Sequence, residues 1–318
     1  MSDSTESYSY EATIPSLRPE IAEQREQAMS AHYAQYKNHP EFRRPGHSRG
    51  LIDVFKNRYL LSLLTNKGIA TRYYGSVLGW VWSYIRPAAQ FLMYYLVVGL
   101  VFGATRGIDF YPIYLFCGIV GVGLFSEILR NATSSIVDNR GLVRKIFLPR
   151  ELFPVSSTLV AMVHFLPQAS LLLIIAIIFG WKFSFTALLS LLGGVLLLLV
   201  FGLGVGMFFG GINAIYRDAK NIVDLILMYS TWASPVLYSF QMIRDIAPSW
   251  FYHIYMSNPV TVAIELIHDG IWLPISPGAE RPGHMSIYIL AAVGISILSL
   301  FFGQLSFRKM EGIFAQRL

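Results

Sequence analysis

Read only as apolar and polar positions, the chain opens with about fifty polar residues, passes through an amphipathic stretch and then runs through six long apolar segments. A helix needs roughly 20 apolar residues to cross about 30 Å of hydrocarbon. Segments 78–103, 110–130, 152–181, 185–216, 222–240 and 285–307 meet or approach that length, and Pro87 predicts a bend in the first. Ahead of them, LIDVFKNRYLLSLL sets Leu51, Val54, Phe55, Leu61 and Leu64 among Asp53, Lys56, Asn57 and Arg58. This pattern predicts a helix over 51–66, either an amphipathic interface helix lying flat on one leaflet or a soluble connector.

Two connections depart from a plain loop. Residues 136–147 combine Ile136, Leu142, Val143, Ile146 and Phe147 with Arg140, Arg144 and Lys145, and Pro149 and Pro154 follow. A solvated loop has no need of that apolar set, so a short helix lying across the membrane face and docking another protein is expected. Residues 241–284 are too apolar for a loop and too broken for a span, with breaks at Pro248, Asn258-Pro259 and Pro274. Two short helices that enter the outer leaflet and return fit this stretch. Irregular backbone at that depth is tolerated only beside protein or a water-filled cavity. Glu265, His268 and Asp269 then read as a polar lining rather than a catalytic triad.

Composition makes the class definite. Hydrophobic residues are 54% of the chain and charged ones 14%, with a mean hydropathy of +0.50. Soluble domains carry about 25% charged residues, so too little polar surface exists to coat a globule of 318 residues. The fold class is all-α integral membrane: six transmembrane helices, an N-terminal interface helix over 51–66, a short helix across the cytoplasmic face and re-entrant outer helices. Residues 1–50 read as a polar, partly disordered tail, and its lack of an apolar core predicts no cleavable signal. The single cysteine, Cys117, lies in an apolar run and reads as a small buried hydrophobe.

The net charge of +6 belongs to loops and headgroups, not to nucleic acid. With the N-terminus inside, the inner connections hold Arg140, Arg144, Lys145, Arg150, Arg217 and Lys220, and the tail end holds Arg308, Lys309 and Arg317. The outer connections hold only Arg106, Lys182, Arg244 and Arg281. Both termini are therefore expected in the cytoplasm.

Few residues suggest chemistry. No GxxxxGK[ST] loop, HExxH or zinc-spaced His/Cys cluster occurs; no catalytic or metal site is expected, and ATP hydrolysis is assigned elsewhere. Gly202, Gly206 and Gly210 form a small-residue face for close helix packing. Glu127 and Arg130, three apart, can pair with each other, as a structural or a functional pair. His164 reads as a buried hydrogen-bonding residue. Arg72 and Arg86 bracket Trp80, Trp82 and Tyr84, as expected of chain anchored at a membrane surface.

In order, RYYGSVLGWVWSYIRP, IVDNRGLVRKIFLPRELFP, NAIYRDAKNIVDLILMYSTWASPVLYS and YMSNPVTVAIELI resemble the membrane subunits of ATP-binding-cassette exporters of lipid-linked polysaccharides, the O-antigen, capsule and teichoic-acid permeases. The resemblance covers residues 51–318. Many such proteins carry Lys where Tyr74 stands. The resemblance implies a homodimer with six spans per copy and two copies of a cytoplasmic ATPase subunit that binds ATP and Mg. It also implies a coupling helix at 136–147 seated in that ATPase, outer gate helices around Asn258 and Pro259, and a polyprenyl-diphosphate-linked glycan as cargo. The long tail and the aromatic content are similar to actinobacterial members, which implies a galactan.

With such a cargo in view, Tyr229, Trp232, Val236 and Phe240 on the fifth span share one helical face, and Tyr84, Ala88, Phe91 and Tyr95 share one on the first. These faces are expected either to line a sugar channel by stacking or to pack against neighbouring helices. Arg72 and Arg86 are expected either to attract the cargo pyrophosphate or to serve as plain anchors. Two other functions compete: a membrane transferase acting on polyprenyl-linked sugars, with Glu265, His268 and Asp269 as its candidate residues, and a permease of this fold for drugs or small lipids.

Overall fold

The computed structural model describes Gln27 and residues 50–317, apart from Tyr73 and Phe147. Most of the expected tail therefore lies outside the described residues, as does the Phe147 of the docking segment.

The amphipathic stretch forms two helices, α1 (Leu51–Lys56) and α2 (Arg58–Arg72), where one was expected to residue 66. Asn57 makes the break: its side-chain amide donates to the Asp53 carbonyl at 2.8 Å and so closes α1. No residue of α2 is buried, and Gly68 lets the helix rest on Val160. Span one is a 3₁₀ turn (Gly79–Val81), then α3 (Trp82–Tyr94), then a π-helical stretch (Tyr95–Val101). Its departure from α geometry falls at that stretch, and Pro87 lies within the regular helix. Thr105 caps the Gly99 carbonyl at 3.1 Å.

Next come α4 (Tyr111–Asp138), the short α5 (Arg140–Lys145), α6 (Leu152–Ile178) and α7 (Phe185–Ile215). Helix α4 is the axis of the bundle, with 78% of its apolar window buried against 6% for span one. The glycine face of α7 sits against α4 as expected. A Cβ on Gly206 would stand 2.5 Å from the Ala132 Cβ, and one on Gly210 2.9 Å from the Ala132 carbonyl. A side chain at either position would force the two backbones apart.

The expected fifth span over 222–240 is not one helix. Helix α8 (Ala219–Ser230) ends, a turn segment follows, and α9 (Phe240–Ile246) begins. Pro235 carries no N–H and interrupts the ladder. Carbonyls of this turn segment are held by α4: the one Tyr114 hydroxyl proton is shared between Pro235 O at 3.0 Å and Tyr238 O at 2.9 Å, and the Tyr111 hydroxyl donates to Leu237 O at 3.2 Å. Helices α10 (Ser249–Ser257), α11 (Pro259–Ile271) and α12 (Met285–Arg317) complete the bundle. Five helices among the described residues are long and apolar enough to cross a membrane.

Two short helices at 241–284 were expected, and α10 and α11 occupy that stretch. Asn258 starts α11 by accepting the Val260 N–H at 3.0 Å, and Pro259 supplies the first helical turn. Helix α7 packs against α4, α11 and α12. Cys117 is fully buried.

Candidate functional site

A cleft of about 1020 Å³ opens between α3, α4, α6 and α8. Its walls are polar in an otherwise apolar bundle. From α3 come Trp82, Ser83, Arg86, Gln90 and Tyr94, spaced so that every fourth residue returns to the same face. Helix α4 adds Ser126, Glu127, Arg130 and Asn131, helix α6 His164 and Gln168, and the α8 region Asp224, Thr231 and Trp232.

The charges are organised by tertiary pairing. Glu127 accepts from Arg72 and from His164 Nδ1, the latter at 3.0 Å. The Trp80 ring meets the His164 ring edge-on at 5.5 Å. Arg130 pairs with Asp224 at 3.0 Å. The expected pairing of Glu127 with Arg130 is corrected: each finds its partner on another helix. Among the described residues Arg86 has no carboxylate partner, and its guanidinium lies 5.9 Å from the Trp82 ring centroid. Among the described residues the cleft therefore holds two ion pairs and one cation without a carboxylate partner, together with amides and flat rings. It suits a hydroxyl-rich, anionic ligand.

Only part of the expected aromatic set lies here. Trp232 lines the cleft and is half exposed. Tyr229 is exposed but outside the lining, and Tyr84 is exposed on another face of α3. Phe91 stacks on Tyr95 at 5.7 Å and meets Phe116 edge-on at 5.8 Å, so the face chosen for the channel is the one packed toward α4. Phe240 is buried in the core, because the broken fifth span removes the helical register that joined it to Trp232. Trp82, Gln90, Tyr94 and Gln168 were missed. Their signal was available, since glutamines inside apolar runs are costly unless they face a wet cavity.

At the 139–145 end of the bundle, Val143 is the buried anchor of α5, in a cluster with Ile136, Phe153, Met207, Phe307 and Phe314. Ile136 belongs to α4 and is fully buried, so it supports the docking segment rather than presenting it. Arg140, Arg144 and Lys145 are exposed and Leu142 is half-buried. Arg150 fixes the segment to α12, donating to the Glu311 carbonyl with its guanidinium 5.7 Å from the Phe314 ring. Burial pulls the proton affinity of Arg150 down, while Glu311 and Glu151 push it up.

At the opposite end, Glu265 and His268 on α11 are buried. His268 Nε2 donates to the Tyr114 carbonyl at 3.0 Å, and its ring stacks on Tyr114 at 3.9 Å. Glu265 borders two small cavities of about 180 and 160 Å³. Asp269 accepts from Ser190 Oγ and forms an ion pair with Arg281 Nε, both at 2.6 Å. Among the described residues no group of His, Cys, Asp or Glu is arranged to hold a metal ion.

The family described as ABC-2 type transporter matches residues 59–272, from within α2 to just past the end of α11. The chain belongs to the ABC-2 type transporter family. Within reach of this ABC-2 chain, the O-antigen export system permease protein RfbA of Klebsiella pneumoniae is 28% identical over 261 residues, covering 79% of this chain and 94% of that protein. RfbA of Myxococcus xanthus is 29% identical over 194 residues, 61% of this chain and 73% of that protein. The polysialic acid transport protein KpsM of Escherichia coli is 24% identical over 247 residues, 76% of this chain and 90% of that protein. The ABC-2 match begins on α2 and takes in α5, the cleft and the α10–α11 hairpin.

Proposed function

We propose that this chain is the permease of an ATP-driven exporter that moves a polysaccharide, carried on a polyprenyl diphosphate, across the cytoplasmic membrane. The observation that carries the reading is the cleft: polar walls, stacking rings and, among the described residues, an arginine without a carboxylate partner. The names of the relatives, O-antigen export permease and polysialic acid transport protein, support the same cargo class. Both termini and α5 face the cytoplasm in this reading. Two copies face each other, so that the sparsely covered span one of each closes the other's cleft. Helix α5 seats its basic face in a separate ATPase subunit, which binds ATP and Mg.

A sugar chain suits such a channel. Its hydroxyls exchange water for Gln90, Gln168 and Asn131, and its C–H faces stack on Trp82, Tyr94 and Trp232 without demanding one sequence of sugars. Arg86 is the cation left to meet the diphosphate head, since Arg72 is held by Glu127. Helices α10 and α11 serve as the outer gate, with Asn258 and Pro259 setting the turn between them. Against the transferase alternative, the His268 ring is stacked on Tyr114 in the core and Asp269 is held by Ser190 and Arg281.

The test is export from cells that depend on this protein. Trp82→Ala and Trp232→Ala slow export with the fold intact, and Arg86→Glu abolishes binding of a polyprenyl diphosphate. Normal export from the double alanine variant removes the cleft from the pathway.

A further inference from the structure

We propose that the cavity beneath α2 is a binding pocket for the headgroup of an anionic, hydroxylated phospholipid of the phosphatidylglycerol type. The cavity holds about 430 Å³ between α2, the last turns of α4 and the first turns of α6. It shares only Arg72 and Asn131 with the translocation cleft.

Its two walls differ in chemistry. The α2 wall supplies the cation Lys67, beside Arg72, which is held by Glu127. Apart from the Asn131 amide, the opposite wall supplies acceptors. Ser135 spends its hydroxyl proton on the Ala132 carbonyl at 2.7 Å, and Ser156 spends its own on Phe153 O at 2.9 Å. Each is left with oxygen lone pairs, and the Asp138 carboxylate beside them adds acceptors only. A bare phosphate matches the first wall and is repelled by the second. A choline headgroup offers no hydroxyl donors. A phosphate that carries a diol matches both walls, with its anion toward Lys67 and its hydroxyls toward Ser135, Ser156 and Asp138. Helix α2 has no buried residue, and in the interfacial placement on which this inference rests it lies at the level of the leaflet phosphates.

The pocket also reaches the docking helix. Lys67 Nζ donates to Asn139 Oδ1 at 3.0 Å, and Asn139 joins α4 to α5. A headgroup held by Lys67 therefore ties the surface helix to the start of α5. The inference rests on α2 lying in the membrane interface and is independent of the cargo.

The experiment uses the full chain in phosphatidylcholine nanodiscs, with melting followed by tryptophan fluorescence. Adding phosphatidylglycerol raises the melting temperature by several degrees, and phosphatidylserine raises it by less than half as much. Lys67→Gln loses most of the shift. Ser156→Ala, whose lost bond is local to its own helix, narrows the difference between the two lipids. Equal shifts from the two lipids in the unaltered chain, or an undiminished shift in Lys67→Gln, mean surface charge alone and overturn the pocket. A full shift from dissolved sn-glycerol 3-phosphate or inorganic phosphate overturns the lipid as occupant. Export by Arg86→Glu, which leaves this pocket intact, tests the transport reading separately.

Discussion

Arg130 Nε stands 3.0 Å from Asp224 Oδ1, on another helix, although Glu127 lies three residues away on its own. The pair bridges α4 and α8 along the cleft wall. Both side chains are about half exposed, at 50% and 42%. Arg130→Ala or Asp224→Ala therefore costs no more than about 1 kcal/mol of stability. The exchange Arg130→Asp with Asp224→Arg recovers the export lost by either single charge reversal. An exchange variant as impaired as the single reversals shows that the two residues act separately on cargo.

The contact between α7 and α4 gives a sharp contrast between glycines. Gly206→Ala places a Cβ 2.5 Å from that of Ala132 and costs about 1–3 kcal/mol in thermal melting. Gly294, with nothing within 4 Å, accepts alanine and gains up to about 1 kcal/mol from helix propensity. Equal effects from the two substitutions rule out the close approach.

His268 holds the α10–α11 hairpin to α4 in two ways. His268→Phe keeps the stack on Tyr114 and loses the carbonyl bond, at about 1 kcal/mol. His268→Ala loses both, at about 3 kcal/mol. Melting of the two variants in detergent, compared with the unaltered chain, separates the contributions.

The proposed docking of α5 and its anchoring to the bundle fall on neighbouring residues. Val143 is 5% exposed, so Val143→Asp unseats the helix and lowers the melting temperature. Arg144 is exposed, so Arg144→Glu leaves melting unchanged and weakens co-purification of the ATPase subunit. Loss of co-purification with Val143→Asp alone removes the basic face from the docking contact.

Legibility followed the range of the interaction. The Asn258-Pro259 step announced a break between two short helices because proline acts within a few residues, and the glycines of α7 announced a packing face because four-residue spacing is a property of one helix. On span one the sequence left channel lining and helix packing both open, and the fold packs Phe91 against Tyr95 and Phe116. Phe91 and Tyr95 follow the same period as Trp82, Arg86, Gln90 and Tyr94, and period alone does not say which face meets α4. Charged partners were misread for the same reason, since Arg72, Glu127 and His164 meet across three helices.

The sequence by itself determined a membrane bundle, the places where most of its helices begin and the face on which α7 packs, because hydropathy, proline breaks and small-residue spacing act locally along the chain. Tertiary structure decided that the fifth apolar run breaks, since Tyr111 and Tyr114 satisfy the carbonyls of Pro235, Leu237 and Tyr238 in the turn segment. It also decided which polar residues share the cleft, because a buried charge is stable only where the fold brings it a partner or water.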